Sequence, residues 1–508
     1  MKLPKTYKEL RSSVIAEEGG KYPGRALVQL ELEPGFDRAK SRLLPHIQAI
    51  NEAHLIMLAE QGIVTPVDAG LIMRTLLQID YDAYRKSSYS GKFEDLYMEM
   101  EDEIIRRTDG VGGNLHLARS RNDMCVAWTH MVVRDELLSL IKRLNVLQNT
   151  VALFAKEHSE TLYVVHTHTQ HAQPGLLGHY FLAYVDVLDR DIARLQHAYA
   201  AVNCSPMGAA AITTSGFNIS RQRVAELAGF DGTIENAYDA IGNSDYFTET
   251  AGALSLCALN MGRIITDMVL WATEEMKMIR LADGYISTSS IMPQKRNPIA
   301  LEHLRSSLSV VKGLADTVLT GFLKTPYGDI TDYEDIQDTM FDAMELMDKN
   351  IELFDAVLAT MDVNKELLSE RAYESFSVVT EIADQMYRSY HIPFRKAHHF
   401  VAQLVKKAGR LNYNLRSISR EFFAETYEEV LGEPFTQDFE PILKGVDPLH
   451  FVKSRNVYGG TGSDAMKNML AAASKKVESN IAWYGSRVKA LQTAQNSREH
   501  EIKKITGI

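Results

Sequence analysis

Three long stretches of the sequence space their apolar residues at alternating steps of four and three. They run from Val133 to Phe154, from Phe181 to Tyr199 and from Met340 to Met361. This heptad spacing draws one apolar seam along a helix, and the first seam alone covers about six turns, far more than an average helix. The pattern therefore predicts long helices that pack side by side.

Two further stretches are also predicted to be long helices. Thr250–Thr273 is apolar on nearly every face, which predicts a helix buried on all sides. For Ile299–Leu323 we expect Asn297 to be the N-cap and Pro298 the first helical residue. Five long helices in the middle of the chain predict one bundle. Because one such bundle would not hide so many apolar faces alone, we expect helices from other subunits to share its core.

The rest of the chain is predicted to be helical as well, so the fold class is all-α with three domains. An N-terminal helical domain covers residues 1–118, the long-helix bundle covers 119–371, and a C-terminal helical domain covers 372–508. Strand signals are weak and short throughout. The C-terminal domain is predicted to end in a long helix from Asp464 to Ala494.

Charge and cysteine content exclude several classes of function. The 508 residues carry a formal net charge of −11, which argues against nucleic acid as a partner because phosphate binding needs a basic face. Cys125, Cys204 and Cys257 are few and far apart, and they predict free thiols in a reducing compartment. The start lacks an apolar signal core, and no run of about 18 apolar residues follows. We therefore expect a soluble cytoplasmic protein with no membrane segment.

Polar residues concentrate in three short stretches, each just before a predicted long helix. They are Leu115–Asp123 (“LHLARSRND”), Val165–Pro174 (“VHTHTQHAQP”) and Ser287–Pro298 (“STSSIMPQKRNP”). At a helix N-terminus the free backbone N–H groups and the helix dipole favour anions. A pocket for carboxylates needs charged groups such as guanidinium, which can donate two parallel hydrogen bonds to a carboxylate, together with neutral donors. The three stretches together predict one site for a polycarboxylate.

Each stretch alone has a plainer interpretation. Alternate histidines in “HTHTQH” would share one strand face and suit a metal, but acidic or cysteine ligands are missing nearby. “RSRND” alone also fits a solvated helix start in which Asp123 offsets the dipole. The serine-rich stretch alone fits a flexible linker. The three together are better explained by a common function.

The same stretches carry a family resemblance. “SSIMPQKRNP” resembles GSSxMPxKxNP, the signature of the fumarase/aspartase superfamily, and “HLARSRND” resembles the HTGRSRND of argininosuccinate lyases. “THTQHAQP”, “PFRKAHHFV” and “SRNVYGGTG” resemble the THxQxAQP, PFRxAH and SRxxYGGT segments of that family, in the correct order from residue 115 to residue 462. The resemblance implies three mostly helical domains, with central bundles that form a twenty-helix core in a homotetramer.

The resemblance also implies a reaction. The superfamily removes an amine or hydroxyl from a succinyl group by β-elimination and releases fumarate. In argininosuccinate lyase the leaving group is a guanidino nitrogen of arginine, which makes argininosuccinate the best single substrate and arginine biosynthesis the expected role. Removing a proton beside a carboxylate creates a doubly charged aci-carboxylate, so the enzyme must stabilise charge that appears only then. No metal or organic cofactor is expected.

Roles for individual residues follow from the resemblance. Ser289 is the expected base, and Lys295 with helix-end N–H groups would lower the pKa of its hydroxyl. His168 is the candidate for protonating the departing nitrogen, directly or through water. Gln337, on the fifth helix, matches a family residue on the amine side. The other expected substrate-binding residues are Ser120, Ser290 and four residues that would hold the two succinyl carboxylates, namely Arg121, Asn122, Thr167 and Asn297.

The sequence departs from the family pattern mainly on the amine side. Asp332 and Met340 stand where the family has a Tyr and a Lys, and Met340 also begins a heptad seam, which predicts core packing. Thr288 replaces the Gly of GSS and should stiffen the loop. The remaining departures are Thr169, His171 and Tyr97. Tyr97 replaces the His of the family's EDxH motif. The half of the site for the succinyl group is therefore predicted to be intact and the amine half altered.

Three interpretations of function stay open. The protein is an argininosuccinate lyase, or a relative that eliminates fumarate from another N-substituted aspartate such as an aminopolycarboxylate, or a structural protein that has lost catalysis, as in lens crystallins of the family. Retention of Ser289, Lys295, Asn297, Thr167 and His168 argues against the last.

The order of the motifs predicts how the site is assembled. “RSRND” and “THTQHAQP” open consecutive helices, which point in opposite directions in an up-and-down bundle. One chain therefore cannot easily bring them together, whereas subunits related by closed dihedral symmetry can. We expect a homotetramer whose sites are each built from three chains.

Overall fold

Five long helices form the centre of the protein, as the apolar seams predicted. The structure is a computed structural model that describes residues 6–507. Each long helix extends beyond the stretch of sequence that predicted it, or matches that stretch to within a few residues. The helices are α1 (Arg121–Glu157), α2 (Leu177–Val202), α3 (Asp245–Trp271), α4 (Ile299–Phe322) and α5 (Asp332–Thr360).

The longest of them, α1, has a well-defined start. The Ser120 hydroxyl accepts a hydrogen bond from the backbone N–H of Asn122, and the Asp123 side chain accepts one from the N–H of Ser120 at 2.9 Å. This reciprocal capping satisfies backbone donors that a helix start would otherwise leave free. With 37 residues, α1 spans about 55 Å at 1.5 Å per residue.

One end of the bundle is the Arg121 end, where α1 begins. Here Phe322, at the end of α4, lies against Phe247 at the start of α3, with ring centroids 5.8 Å apart. Tyr333, in the first turn of α5, packs on Phe322 at 5.0 Å. The starts of α1, α3 and α5 and the end of α4 therefore meet at this end.

The other end of the bundle carries a β-hairpin, and we call it the hairpin end. Trp271, the last residue of α3, packs on Tyr180 of α2 and on Tyr163 of the hairpin, with ring centroids 5.0 and 6.5 Å apart. The hairpin follows the C-terminal end of α1 in the chain. A hydrogen bond from the N–H of Leu177 to the carbonyl of Thr161, at 2.9 Å, closes its base. The two ends are separated by the length of α1.

The hairpin corrects the expectation that the second polar stretch lies at a helix N-terminus. Its strands are β1 (Leu162–Thr167) and β2 (Gln170–Leu176), and α2 begins only at Leu177. The turn residues His168 and Thr169 both have left-handed backbone angles, with φ of 52° and 62°. Such a two-residue turn matches the twist of a hairpin, and so Thr167 and His168 lie at a strand tip.

The expectation that the third helix is buried on all sides is wrong for the single chain. Leu256, Leu259 and Leu270 of α3 keep 45%, 46% and 48% of their surface exposed. Among residues 6–507, α3 is also the one helix that is long and apolar enough to cross a membrane by length and composition, a test that core helices pass as well. Its other faces pack on α2 and α4.

Shorter helices precede and follow the bundle in the chain. The division into three domains with boundaries at residues 118 and 371 stays a prediction. The N-terminal part contains helices Tyr7–Val14, Arg25–Leu27, Glu33–Arg38, Leu44–Glu60, Pro66–Leu77, Tyr81–Lys86 and Leu96–Arg107, π-helical segments Ile15–Gly19, Val28–Leu32 and Ala39–Leu43, and a 3₁₀ turn at Val111–His116. The bundle region adds Arg221–Ala228, Ala237–Gly242, the 3₁₀ turn Asp283–Tyr285 and the paired segments Cys204–Ser205 with Gly232–Thr233, Ile279–Arg280 with Asp362–Val363, and Ser287–Thr288 with Arg296–Asn297.

The C-terminal part returns to the bundle through its last helix. This helix, α6 (Ser463–Thr506), is longer than predicted and packs on α1 and α2. A single contiguous apolar cluster includes residues from Phe36 to Ile502, so the outer parts share the core of the bundle. The other C-terminal helices are Lys365–Glu374, Val379–Tyr390, Phe394–Arg410, Arg420–Leu431, Glu440–Gly445 and Pro448–Lys453, with 3₁₀ turns Phe376–Val378 and Leu415–Ser417.

Candidate active site

The predicted base, Ser289, is the first residue of a short loop before α4. The loop is closed at its base by antiparallel pairing of Ser287–Thr288 with Arg296–Asn297. The Ser289 hydroxyl oxygen accepts hydrogen bonds from the backbone N–H groups of Ile291 and Met292, at 3.3 and 3.1 Å. Backbone donors aimed at one oxygen stabilise negative charge on it. The donors expected from a helix end are thus supplied by the loop itself.

The end of this loop differs from the predicted helix start. The helix α4 begins at Ile299, so Pro298 is the capping residue and Asn297 lies one residue outside. Pro298 has ψ of 55°, which is not helical, and this shifts the start by one residue. The Asn297 amide instead donates to the Ser287 hydroxyl at 3.2 Å and ties the two sides of the loop together.

The loop is open in a single chain. Ser289 is half-buried, whereas Ser290 and Lys295 are exposed. Within residues 6–507 the Lys295 ammonium forms no ion pair. The dry pocket expected around the base is therefore not formed by the loop alone.

The hairpin tip is equally open. Thr167 and His168 are exposed, and the hydroxyl of Thr169 donates to the His168 carbonyl at 2.6 Å, which supports the left-handed turn. Across the two strands, His166 and His171 face each other with ring centroids 5.1 Å apart. In the described part of the chain, no three His, Cys, Asp or Glu side chains are arranged to hold a metal ion.

The first polar stretch lies at the opposite end of the bundle, around a pair of adjoining hollows that we call the Arg121 cavity. The larger hollow has a volume of about 670 Å³ and is lined by Ser120, Arg121 and Asn122. The smaller, of about 90 Å³, is lined by Gln337 and also by Arg121. The structure therefore brings these four predicted residues together.

Arg121 is already engaged by carboxylates of the protein. Its two terminal nitrogens lie 2.8 Å from Glu94 and 2.8 Å from Asp95. Burial opposes the charge on Arg121, but Asp95 and Glu94 outweigh burial and raise the pKa of the guanidinium. A substrate carboxylate must compete with these two partners, and the assignment of Arg121 to succinyl binding stays a prediction.

Asp123, which follows the cavity-lining Asn122, connects the start of α1 to a distant loop. One of its oxygens accepts hydrogen bonds from the N–H groups of Gly208 and Ala210, both at 2.9 Å, and the other accepts from Ser120. Burial raises the pKa of Asp123 to about 6, although the three N–H donors act in the opposite direction. Asn122 is held to the same loop through the carbonyl of Ala211, at 3.3 Å.

The start of α5 carries the residues that depart from the family pattern on the amine side, and the structure shows where each of them lies. Gln337 is 7% exposed and faces the cavity, whereas Met340 is fully buried in the core. The prediction that Met340 packs in the core is confirmed. Asp332 is exposed and lines neither hollow, whereas Asp329 and Glu334 do line the cavity.

Sequence analysis singled out Tyr97 but missed the polar network that this residue forms in the wall of the cavity. Glu101 accepts hydrogen bonds from Tyr97 at 2.8 Å and pairs with His116 at 2.7 Å, while Arg119 donates to the Tyr97 hydroxyl at 3.0 Å. Burial alone would raise the pKa of Glu101, but His116, Tyr97 and Arg119 lower it. The spacing of Tyr97 and Glu101, four residues apart on one helix face, is the signal that was available.

The two ends of the bundle hold different groups of predicted residues. Thr167 and His168 lie at the hairpin end, and so does the Ser289 loop, because Arg296 and Pro298 lie beside Ala272 just after α3. The residues at the Arg121 end are Ser120, Arg121, Asn122 and Gln337; those at the hairpin end are Thr167, His168, Ser289, Ser290, Lys295 and Asn297.

Comparison with known proteins supports the motif resemblance. Residues 90–313 match the model of a lyase family, and residues 376–446 match the model of the argininosuccinate lyase C-terminal region. The chain is 35% identical over 492 residues to argininosuccinate lyase 2 of Agrobacterium fabrum, covering 96% of this chain and 95% of that one. It is 34% identical over 435 residues to argininosuccinate lyase of Methanosarcina mazei, covering 85% of this chain and 87% of the relative.

Solved structures agree on the fold. An EDDS lyase in complex with formate superposes with a TM-score of 0.83 at 28% identity, covering 94% of this chain and 95% of that one. A class II fumarase of Schistosoma mansoni, at 17% identity and a TM-score of 0.67 over 82% of this chain and 91% of its own, shares the fold. The fumarase/aspartase-type fold predicted from the motifs is confirmed, and the chain belongs to the argininosuccinate lyase family.

Proposed function

We propose that the protein is a carbon–nitrogen lyase that eliminates fumarate from an N-substituted aspartate, with argininosuccinate as the best single substrate and arginine as the other product. Family membership supports the reaction class. The observation that carries the proposal is the Ser289 hydroxyl, whose oxygen accepts two backbone N–H bonds within “SSIMPQKRNP”. A hydroxyl prepared in this way is suited to hold negative charge as a base.

In the proposed mechanism Ser289 removes a proton from the carbon beside one succinyl carboxylate. The resulting electron pair forms the carbon–carbon double bond of fumarate as the carbon–nitrogen bond breaks. The electrons of the broken bond go to the departing nitrogen, which takes a proton from His168 or through water. Thr167, Asn122 and Asn297 are proposed to hold the succinyl carboxylates, and Lys295 to stabilise the doubly charged intermediate.

We further propose that the active unit is a homotetramer in the cytoplasm, with each site shared by three chains. The separation of about 55 Å along α1 supports the sharing, because no single chain spans it with one pocket. The half-exposed Leu256, Leu259 and Leu270 of α3 supply an apolar face for other subunits. The three free cysteines fit a reducing compartment.

A second candidate substrate class is another aminosuccinate, such as an aminopolycarboxylate. Met340 is fully buried, so no residue at that position binds the amine end of arginine. The similarity to an EDDS lyase fits the same candidate. The succinyl half of the reaction is common to both candidates.

A fumarate-release assay tests the proposal. Purified protein is mixed with argininosuccinate, ethylenediamine disuccinate and other N-substituted aspartates, and the ultraviolet absorbance of the conjugated diacid is followed. Fumarate from at least one substrate, abolished in Ser289→Ala, is the expected result. Absence of fumarate from the whole panel with a folded tetramer would refute the lyase proposal.

A further inference from the structure

His116 lines the larger hollow of the Arg121 cavity, and the proposed reaction gives it no role. Its side chain is 37% exposed, and the same hollow is lined by Ser120 and Asn122. The 3₁₀ turn Val111–His116 ends at this residue, shortly before the Ser120 cap of α1. The fold therefore places an imidazole in the same hollow as Asn122, which is proposed to hold a succinyl carboxylate.

Glu101 fixes the orientation of the His116 ring. The Oε1 atom of Glu101 lies 2.7 Å from Nδ1 of His116, and the same oxygen accepts a hydrogen bond from the Tyr97 hydroxyl at 2.8 Å. Burial acts to raise the pKa of Glu101, but the hydrogen bonds from His116 and Tyr97 lower it, so the carboxylate is ionised and can only accept. Nδ1 of His116 therefore carries the proton of this contact.

Arg119 supports the pair from the buried side. It is 6% exposed, and one of its terminal nitrogens donates to the Tyr97 hydroxyl at 3.0 Å. Its other two guanidinium nitrogens have no hydrogen-bond partner in the described chain. The charge of Arg119 also lowers the pKa of Glu101, so it helps to keep that carboxylate ionised beside the ring.

The second ring nitrogen of His116 is available to a ligand. Within residues 6–507, Nε2 makes no hydrogen bond and no ion pair. Arg121 lines the same hollow, but its terminal nitrogens already bind Glu94 and Asp95 at 2.8 Å each, and its Nε is buried. A protonated Nε2 of His116 is therefore a cationic donor in this hollow that no described carboxylate of the protein occupies.

The carboxylates that line the hollow leave room for an anionic ligand. Two of them, Glu94 and Glu101, have cationic or imidazole partners. Asp329 is exposed, so solvent and salt screen its charge. Burial raises the pKa of Glu334, while Arg121 acts in the opposite direction. A raised pKa favours the neutral form of Glu334 and so reduces its repulsion of a further carboxylate.

We propose that His116 is a further substrate-binding residue, and that its Nε2–H donates a hydrogen bond to a carboxylate of the succinyl group beside Asn122. Glu101 is then a positioning residue, because it acts on the substrate only through the ring. A charged donor binds a carboxylate more tightly than a neutral one, so the ring binds best when both of its nitrogens are protonated. The inference rests on the proposed elimination of fumarate and adds a binding residue to that site.

Fumarate binding tests this assignment without catalysis. Fumarate carries the two carboxylates of the succinyl group, and its affinity for the purified protein is measured by calorimetric titration in the absence of any amine. His116→Gln should raise the Kd of fumarate about 10-fold or more, because the variant loses a charge-assisted hydrogen bond. An unchanged Kd in a variant that melts like the wild type would overturn the inference. A wild-type protein that does not bind fumarate would overturn it as well.

His46→Gln is the matched control. His46 is half-buried, lies 3.7 Å from Asp135 and lines a separate hollow, so this change removes another histidine–carboxylate contact outside the Arg121 cavity. It should leave the Kd of fumarate nearly unchanged. A loss of affinity as large as that in His116→Gln would show a general effect on the fold and contradict the assignment.

The pH dependence of binding separates a charged donor from a residue that only supports the fold. The wild-type Kd should rise from about pH 6 to about pH 9 as the ring loses a proton, and the rise should be flatter in His116→Gln. Glu101→Gln removes the negative charge that favours the doubly protonated ring, so it should flatten the profile in the same direction. Parallel profiles in the wild type and His116→Gln would contradict the charged donor. The other charged and titratable neighbours of the ring are common to these proteins, namely Tyr97, Arg119 and His54 on one side and Glu94, Arg121, Asp329 and Glu334 across the hollow.

Kinetics distinguish this inference from the elimination itself. With a substrate that releases fumarate, His116→Gln should raise KM about 10-fold while kcat falls less, as expected for an interaction made in both the ground state and the transition state. If no substrate releases fumarate but His116→Gln still weakens fumarate binding, only the elimination is refuted. If fumarate is released by His116→Gln at an unchanged KM, the elimination stands and the assignment of His116 is wrong.

Discussion

The two ends of the bundle divide the proposed reaction between an exposed loop with a hairpin tip and a cavity lined by charged side chains. At the hairpin end, His168, Thr167 and Lys295 are exposed, and the Ser289 loop is held mainly by its own backbone. At the Arg121 end, the N-terminal segment, α1 and α5 line a partly open cavity in which Arg121, Glu94 and Asp95 are held by ion pairs.

In the proposed homotetramer, this difference assigns catalysis and amine recognition to different parts of the assembly. On the proposed mechanism another chain would desolvate the residues that move protons, since a hydroxyl in water is a poor base. The hollow that Gln337 lines, by contrast, is formed within one chain. We therefore expect substitutions of Gln337, which is proposed to lie on the amine side, to change the leaving amine without touching the proton chemistry.

The largest effect is expected at the hairpin end. Ser289→Ala should lower kcat at least about 10³-fold, because it removes a base used only in the transition state, while folding and substrate affinity stay nearly unchanged. Ser290→Ala removes the same group from the neighbouring exposed residue and should cost much less. Steady-state kinetics with thermal melting as the folding control measure both. If Ser289→Ala kept a tenth of wild-type turnover, Ser289 would not be the base.

At the Arg121 end, restoring the family lysine at position 340 should damage the fold and should not improve recognition of the leaving amine. Met340 is fully buried in the core, so Met340→Lys buries an unpaired charge and should destabilise the protein by about 3 kcal/mol or more. Met340→Leu, which conserves volume, should cost less than about 1.5 kcal/mol. Chemical denaturation measures the difference. A Met340→Lys variant of unchanged stability would mean that this side chain reaches solvent or the cavity.

The altered amine half should also weaken activity on argininosuccinate itself. We expect kcat/KM below about 10⁴ M⁻¹s⁻¹, the lower part of the ordinary enzyme range, because Asp332 and Met340 replace groups expected to orient the arginine end. Initial rates of fumarate release give the value. A kcat/KM at or above that range would show that the two departures do not matter for the substrate.

The smallest expected effect concerns pH and Asp123, which connects the Arg121 end to a distant loop. Its folded pKa of about 6 lies above its ordinary value of 3.8, so the folded state binds the proton more tightly. Its contribution to stability is therefore fully present below about pH 4 and is lost as pH rises through about 6. In Asp123→Asn the melting temperature should show a smaller fall across this window than in the wild type. Identical pH profiles would mean that the carboxyl has an unshifted pKa.

Sequence patterns predicted the features that depend on local periodicity. Heptad seams located three of the five long helices, and an all-round apolar stretch and a helix-start signal located the other two. The seam through Met340 also predicted its burial, because helix period and core packing follow from spacing alone. “RSRND” also predicted the helix start, although the capping box between Ser120 and Asp123 was not predicted. The motif resemblance supplied the superfamily and the candidate roles.

Features that depend on distant parts of the chain were not predicted. The hairpin was missed because its tip is polar and each strand is short, so pairing with the other strand, not local propensity, creates it. The hydrogen bonds from Gly208 and Ala210 to Asp123 join residues more than 80 positions apart. The Arg121 cavity combines carboxylates from three separate stretches of the chain, at residue 31, at residues 94–101 and at residues 329–334. Asp332, one of the departures on the amine side, is exposed and lines neither hollow.

The most direct test of the shared site mixes two inactive variants with lesions at opposite ends, Ser289→Ala and Asn122→Leu, as differently tagged subunits that are co-purified. Shared sites require that some mixed tetramers contain a site with neither lesion, so fumarate release should return. Mixing Ser289→Ala with Lys295→Ala, whose lesions lie in the same loop, should restore nothing. If tetramers of Ser289→Ala and Asn122→Leu form but remain as inactive as either parent, the site lies within one chain and the account of two separated ends is wrong.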